Sequence, residues 1–456
     1  MTHPIRFPDN FLWGSASSAY QIEGAPLADG AGASIWQQFV HTPGHVRNGD
    51  TGDVACDHYH RFRDDIALMR RLGLQAYRFS TSWSRILPQG CGPVNQAGLD
   101  FYARLIDELL ANDIVPLLTL YHWDLPAALE ARGGWLNADV ADWFADYARL
   151  MFRTFDGRVQ SWVTLNEPWV ISDAGYLHGT LAPGHRSLQQ AAIVSHNLLR
   201  AHGKAVRAYR DEGRHRIGIV VNIEPKHPAS TAPADIDACR RADAYMNRQF
   251  LDPILLGHYP AEMAEIFGAA WPDWPAGDFA LIGQPLDFIG INYYTRSVCR
   301  FDADAWPLRA AAVHQPQSAY TASGWEVYPQ GLIEALAGVR QRYGALALYV
   351  MENGAAFDDP PVADGRVPDP RRCDYLRHSI AALHAALELG IDVRGYMVWS
   401  LLDNLEWAQG FALRFGIVHV DFETLQRTPK DSAWLYARIV ASRGACLDGA
   451  HPAISD

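Results

Sequence analysis

Short, nearly unbroken apolar runs alternate along this chain with longer stretches in which apolar residues recur every three or four positions. Residues 75–80, 114–120, 161–165, 217–223, 288–293, 346–351 and 395–400 read as strands, and 11–15 supplies a first one, making eight. Before 75–80, Tyr59, Phe62, Ile66, Met69 and Leu72 share one helical face, and Gly73 closes that helix. Leu99, Tyr102, Ile106 and Leu109 do the same before the third strand, and Ala191, Val194, Leu198, Ala201 and Ala205 before the fifth. Runs that are apolar on both faces suit a parallel sheet wrapped by helices. Strand and helix repeated eight times predict an α/β chain closed into a single (β/α)8 TIM barrel, one domain over residues 1–456. An open doubly wound sheet is the competing architecture. It would carry a glycine-rich turn after its first strand, and Trp13-Gly14-Ser15-Ala16-Ser17-Ser18 lacks that spacing. Polar, Pro/Gly-rich or irregular stretches at 41–57, 300–324 and 358–372 read as long βα loops, on the barrel face that carries active sites.

Composition narrows the classes. Hydrophobic residues make up 49% and charged residues 20%, a globular balance that needs no staples at this length. The net charge of -12 repels phosphate backbones, so no nucleic-acid partner is expected. No apolar stretch approaches the roughly 20 residues of a membrane span, and the first eleven residues hold no signal-like run. A cytoplasmic protein with no membrane partner is the expectation. The six cysteines form no Cys-x-x-Cys pair. His58-Tyr59-His60 falls on a helix, where i and i+2 do not share a face, and no His-Glu-x-x-His occurs; no metal is expected. The 15 tryptophans fit either a large core or a sugar site, and only their positions can decide.

Two glutamates stand at strand ends. Glu167 follows Trp162-Val163-Thr164-Leu165-Asn166, and Glu352 follows Tyr349-Val350-Met351. A single strand-end glutamate usually caps a loop or pairs with an arginine. Two of them on one barrel rim can flank a glycosidic bond, which requires one carboxyl that holds a proton and one that stays ionised.

In these motifs the chain resembles glycoside hydrolase family 1, the β-glucosidase family. The family's Asn-Glu-Pro and Glu-Asn-Gly motifs match Asn166-Glu167-Pro168 and Glu352-Asn353-Gly354, and its N-terminal signature matches Phe11 through Gly24. The resemblance runs from about Phe7 to about Tyr436. It implies a barrel, double displacement, no cofactor, and small β-glycosides and short oligosaccharides as partners. Glu167 would be the acid/base and Glu352 the nucleophile, with carboxyls about 5–5.5 Å apart. Arg78, Asn292 and Tyr294 would support them. Gln21, His122, Trp123, Asn166, Trp399, Glu406, Trp407 and Phe415 would bind the sugar, with Trp169 and Trp325 on the leaving-group side. Glu406 would repel a 6-phosphate, so the implied substrate is unphosphorylated. Met351 stands where the family usually has threonine; strand alternation predicts that it points away from Glu352. A metal hydrolase and an inactive sugar binder are the rival classes. Preference among glucose, galactose and fucose, transglycosylation and oligomeric state stay open.

Overall fold

The computed structural model describes residues 5–447. Eight parallel strands close into a barrel in sequential order: β1 (Leu12–Ala16), β2 (Ala76–Ser80), β3 (Val115–Tyr121), β4 (Ser161–Asn166), β5 (Arg216–Asn222), β6 (Phe288–Asn292), β7 (Leu348–Asn353) and β8 (Val393–Trp399). Strand β8 returns to β1, with Gly14 opposite Met397. The outer helices are α1 (His58–Arg71), α2 (Gln96–Ala111), α3 (Val140–Phe155), α4 (Leu188–Glu212), α5 (Pro233–Asp243), α6 (Gln330–Tyr343), α7 (Pro370–Glu388) and α8 (Asp431–Ser442). All eight predicted strands are present, displaced by a few residues. The largest shift is in β7, which extends past 351 to include Glu352 and Asn353.

The apolar runs divide by alternation. Tyr77, Phe79, Leu118, Leu120, Trp162, Tyr396 and Val398 join the layer beneath the helices. Ala76, Leu117, Val163, Val220, Met351, Met397 and Trp399 form a second cluster that fills the barrel itself. The stripe read from Tyr59 to Leu72 is buried, and Gly73 closes it in the left-handed region at φ 71°. Among the described residues no helix is long and apolar enough to cross a membrane.

Stretches 300–324 and 358–372 are more ordered than expected. The first begins inside Ser297–Phe301, which pairs with Lys226–Pro228 and Ala310–Ala312 in a three-stranded sheet beside the barrel mouth. The second ends inside α7. A buried charge cluster fixes the rim here. Lys430 pairs with Asp359 (2.5 Å) and Asp403 (2.7 Å), and Arg372 with Asp359 (2.8 Å) and Asp369 (2.6 Å). Arg372 also donates to the carbonyls of Ala355 and Arg414. Removing one member would leave an unpaired buried charge, so the loops after β7 and β8 are held as one unit.

The Glu352-Asn353-Gly354 motif has a packing reason as well as a chemical one. Asn353 turns away from the site: its amide donates to the Tyr293 carbonyl (2.7 Å) and Tyr375 hydroxyl (2.9 Å), and its oxygen accepts from Tyr396 (2.8 Å). Gly354 lies against β8, where a Cβ would sit 1.7 Å from the Trp399 carbonyl oxygen. Gly354→Ala should therefore cost about 1–3 kcal/mol through overpacking and should lower turnover by displacing Trp399. An unchanged melting temperature together with full activity would contradict this packing account.

Candidate active site

Both strand-end glutamates are aimed by irregular backbone. The pairing of β4 with β5 slips between Val163 and Asn166, and Glu167 follows in the left-handed region at φ 46°, ψ 62°. Its amide donates to the Val220 carbonyl (2.9 Å), and Pro168 starts a helical turn immediately after it. Such a conformation is costly for a residue with a side chain, and the surrounding barrel must hold it. Pairing of β7 with β6 slips between Val350 and Glu352. This bulge puts two consecutive residues on one face. Met351 packs into the barrel interior beside Val163, Val220 and Trp399, and Glu352 turns its carboxylate into the mouth above them. The alternation expected for Met351 is thus broken: it underlies the site instead of pointing away.

One polar chain joins the two carboxyls. Arg78, fully buried at the middle of β2, donates to Glu352 Oε1 (2.5 Å) and to Asn166 Oδ1 (2.6 Å). Asn292 donates to Glu167 Oε1 (2.7 Å) and to Asn166 Oδ1 (3.1 Å). Tyr294 donates to Glu352 Oε2 (2.7 Å). With its oxygen taken twice, Asn166 presents its amide to His122 Nε2 (3.1 Å), so the imidazole proton belongs on Nδ1. The Trp123 indole donates to the Asn166 carbonyl (2.9 Å).

The electrostatics separate the acids. Burial pushes Glu167 up to about 8; the nearby Glu352 charge adds to this, while Asn292 and Arg78 oppose it. Glu406 is also raised to about 8, first by burial and then by Glu352, against a hydrogen bond from Gln21. Glu352 itself is ion-paired with Arg78. Burial, then Arg78, holds His122 well below the ordinary histidine range, so it is neutral. Buried Glu406 Oε2 and His122 Nδ1 have no protein partner.

A cavity of about 610 Å³ opens above these groups. His122, Trp123, Glu167, Asn292, Tyr294, Glu352, Trp399, Glu406, Trp407 and Phe415 line it, with Trp169 and Trp325. The His122 ring lies nearly parallel to those of Trp399 (5.9 Å, 19°) and Trp407 (5.9 Å, 27°). Trp325 packs on Tyr294 (5.0 Å) and Phe415 (6.0 Å). Arg78 and Asn166 lie in the network beneath the lining. Gln21 stands behind Glu406, anchored to Asn404 (3.1 Å) and the Leu405 carbonyl (2.9 Å). The residues named from the family resemblance for catalysis and sugar binding therefore converge on one place. His58 and His60 do not join them: they bind Asp65 (2.7 Å) and Asp57 (2.5 Å) separately. Sequence reasoning missed Asn222, Glu224, Lys226, Tyr245 and Met246, which also line the cavity. For Asn222, Glu224 and Lys226 the available signal was a polar residue at every second position from the end of β5.

Comparison with known proteins agrees with this geometry. The family model described as glycosyl hydrolase family 1 matches residues 3–445. Beta-glucosidase A of Thermotoga maritima is 49% identical, over 96% of this chain and 98% of that protein. A bifunctional beta-D-glucosidase/beta-D-fucosidase of Bifidobacterium breve is 41% identical, over 96% and 99%. The solved family 1 β-glucosidase from Thermotoga maritima superposes with a TM-score of 0.95, at 49% identity, covering 97% of this chain and 99% of that one.

The assigned causes make the Glu167 proton testable. Glu352→Gln removes the neighbouring charge, so Glu167 should release its proton at a lower pH than the wild-type value of about 8. Infrared titration of the protonated carboxyl band, in a Glu406→Gln background that removes the second raised acid, reads this directly. A release point that stays in place would reject Glu352 as a cause.

Proposed function

The chain belongs to glycosyl hydrolase family 1 and is a retaining β-glucosidase, and from that premise we propose how its residues divide the work. Glu352 is the nucleophile and Glu167 the acid/base. The observation that carries this assignment is the buried pair of carboxyls with opposite environments: one in contact with a guanidinium, the other raised to about 8 beside it. A retaining enzyme needs this asymmetry at about 5–5.5 Å.

In the first half-reaction a Glu352 oxygen attacks the anomeric carbon. The bond to the leaving oxygen breaks, and the Glu167 proton moves to that oxygen. The product is a glycosyl ester on Glu352. Esterification removes the charge that helped hold the Glu167 proton, so its proton affinity falls and it can serve as base. Water, deprotonated by Glu167, then attacks the same carbon from the opposite face to the ester and restores the original configuration. Tyr294 and Arg78 position the Glu352 oxygens and stabilise the carboxylate as it departs. The Asn166 oxygen already accepts from Arg78 and Asn292 and one amide hydrogen goes to His122, so its second amide hydrogen would serve the 2-hydroxyl, where hydrogen bonds strengthen in the transition state.

Sugar binding follows from the unpaired polar atoms and the rings. His122 donates through Nδ1, and Glu406 accepts from neutral hydroxyls. Trp399 and Trp407 offer apolar faces to the C–H face of the pyranose, and Trp123 and Phe415 close the sides. At Glu406 the cavity offers a carboxyl in place of the cation that a 6-phosphate would need, which supports an unphosphorylated glycone. Turnover of β-fucosides belongs to the same reading, because the Bifidobacterium breve relative carries both activities in its name. Every residue invoked comes from one barrel, which supports a single catalytic domain. The net charge of -12 and the six unpaired cysteines support a cytoplasmic protein without nucleic-acid partners.

Two outcomes test the assignment. Glu352→Gly should abolish hydrolysis of an aryl β-glucoside, and added azide should restore turnover with inverted product; normal turnover without azide would refute the nucleophile. For the wild type, kcat/KM should fall as pH rises through about 8, because the free enzyme then loses the Glu167 proton needed by the leaving group. A profile that stays flat well above that pH would remove Glu167 from the acid role.

A further inference from the structure

Two cysteines far apart in sequence meet beside the barrel mouth. Cys239 lies in the second half of α5, and Cys299 is the middle residue of Ser297–Phe301, the central strand of the three-stranded sheet. The docking of helix on strand brings them together. Asp235 accepts from the Phe301 amide (2.7 Å), which pins the start of α5 to the end of the strand. Four helical residues and two strand residues each advance roughly 6 Å. Cys239, four residues after Asp235, thus reaches the level of Cys299, two residues before Phe301, and the two sulfurs are in hydrogen-bonding contact. Arg241 fixes the helix further by donating to the carbonyls of Leu308 (2.8 Å) and Arg309 (3.2 Å).

The pair is asymmetric. Cys299 is buried, and Cys239 is half-buried, which leaves an approach from solvent. The Cys239 thiol donates to the Cys299 sulfur, the Ser297 hydroxyl lies 3.5 Å from that sulfur, and the Lys226 ammonium is near. Against burial and the Glu224 charge, these contacts hold the Cys299 thiol below the ordinary thiol range. The contact with Cys299, then burial, raises Cys239, which keeps its proton. One sulfur is therefore suited to act as nucleophile, and its neighbour to resolve the product. The other cysteines differ. Cys56 is fully buried, donates to the Asp403 carbonyl (3.1 Å), and is pushed up by burial. Burial pushes Cys373 up to about 12. Cys91 contacts Arg132 (3.1 Å) and Cys446 is exposed, so these two are the competing sites for an oxidant.

We propose that Cys239 and Cys299 form a reversible modification site for hydroperoxides, closing into a disulfide that ties α5 to the sheet beside the barrel mouth. The Cys299 thiolate attacks one peroxide oxygen and the O–O bond breaks. A sulfenic acid forms on Cys299, and the other oxygen leaves as hydroxide, or as alkoxide from an organic peroxide. The Cys239 sulfur then attacks the Cys299 sulfur. The S–O bond breaks, the S–S bond forms, and the Cys239 proton leaves with the hydroxyl as water. The two thiols lose two electrons and the peroxide gains them. Two external thiols reverse the change and become a disulfide themselves. The bridge would form in the wall of the catalytic cavity, because Ala242 of α5 and Lys226 of the adjoining strand line it.

The test uses the reduced full chain, freed of reductant and treated with stoichiometric hydrogen peroxide at neutral pH. Peptide mapping without reductant should join the Cys239 peptide to the Cys299 peptide. Intact mass should show the loss of two hydrogens, and dithiothreitol should restore them. In Cys239→Ala the sulfenic acid has no resolving partner, so dimedone should label Cys299, and excess peroxide should carry it on to sulfinic acid. In Cys299→Ala, Cys239 should stay unlabelled. Absence of the joined peptides from oxidised wild type overturns the site, whether or not Cys91 or Cys446 reacts. Dimedone labelling of Cys239 in Cys299→Ala as strong as that of Cys299 in Cys239→Ala overturns the assignment of nucleophile. The wild-type map needs no substitution and decides alone if either variant fails to fold.

Discussion

Arg78 is fully buried, and it hydrogen-bonds both the Glu352 carboxylate and the Asn166 amide oxygen. Buried Glu167 and Glu352 and partly buried Glu406 share the cavity above it. Taking three carboxylates out of water together is prohibitive, because each pays desolvation and each repels the others. A guanidinium in contact with one of them resolves the conflict. Glu352 is ionised against Arg78, and its charge joins burial in pushing the other two up to about 8. The proposed division into nucleophile and proton carrier therefore follows from where one arginine sits, at the middle of β2. The barrel supplies that position by placing an inward residue of β2 beneath the ends of β4 and β7.

The backbone bears the cost of aiming the acids. Glu167, Trp123 and Trp407 all take positive φ, at 46°, 80° and 51°. Each is a residue with a side chain in a region that glycine prefers, and all three line the cavity. Such conformations persist where the surroundings over-determine them. Here the surroundings are the closed ladder of the barrel and the Lys430, Arg372, Asp359 and Asp403 cluster that ties the loops after β7 and β8 together. Stability in the helices and rim is spent on precision at the mouth.

Much of this was readable in the sequence because it depends on pattern. Strands buried on both faces appear as apolar runs, and helices facing a barrel appear as stripes, so the architecture followed from periodicity. The two glutamates stood out at the strand ends, and the family motifs brought in the sugar-binding set. The unread features depend on local departures from periodicity. Met351 was expected to point away from Glu352 because regular strands alternate; the bulge between Val350 and Glu352 cancels that alternation. Asn166 and Asn353 look equivalent in sequence, each beside a glutamate. One is the hub of the catalytic network, and the other cross-links Tyr293, Tyr375 and Tyr396 outside it. Asn222, Glu224 and Lys226 run from the end of β5 across a short connection into the strand Lys226–Pro228, where alternation is not a recognised signal until the backbone is known to be extended.

Asn166 shows why the site behaves as one unit. Its oxygen accepts from Arg78, which holds Glu352, the proposed nucleophile, and from Asn292, which holds Glu167, the proposed acid. Its amide is thereby forced toward His122, and that contact fixes which imidazole nitrogen carries the proton. A single amide orientation thus couples Glu352, Glu167 and His122. A flipped amide would face two donors with its own N–H groups and confront His122 Nε2 with an oxygen, so three contacts would fail together. Cooperative networks of this kind are stable only when every member is satisfied. Glu406 Oε2, His122 Nδ1 and Asn292 Oδ1 are unpaired on residues that line the cavity, and that is where hydroxyls of the proposed sugar substrate would complete the network.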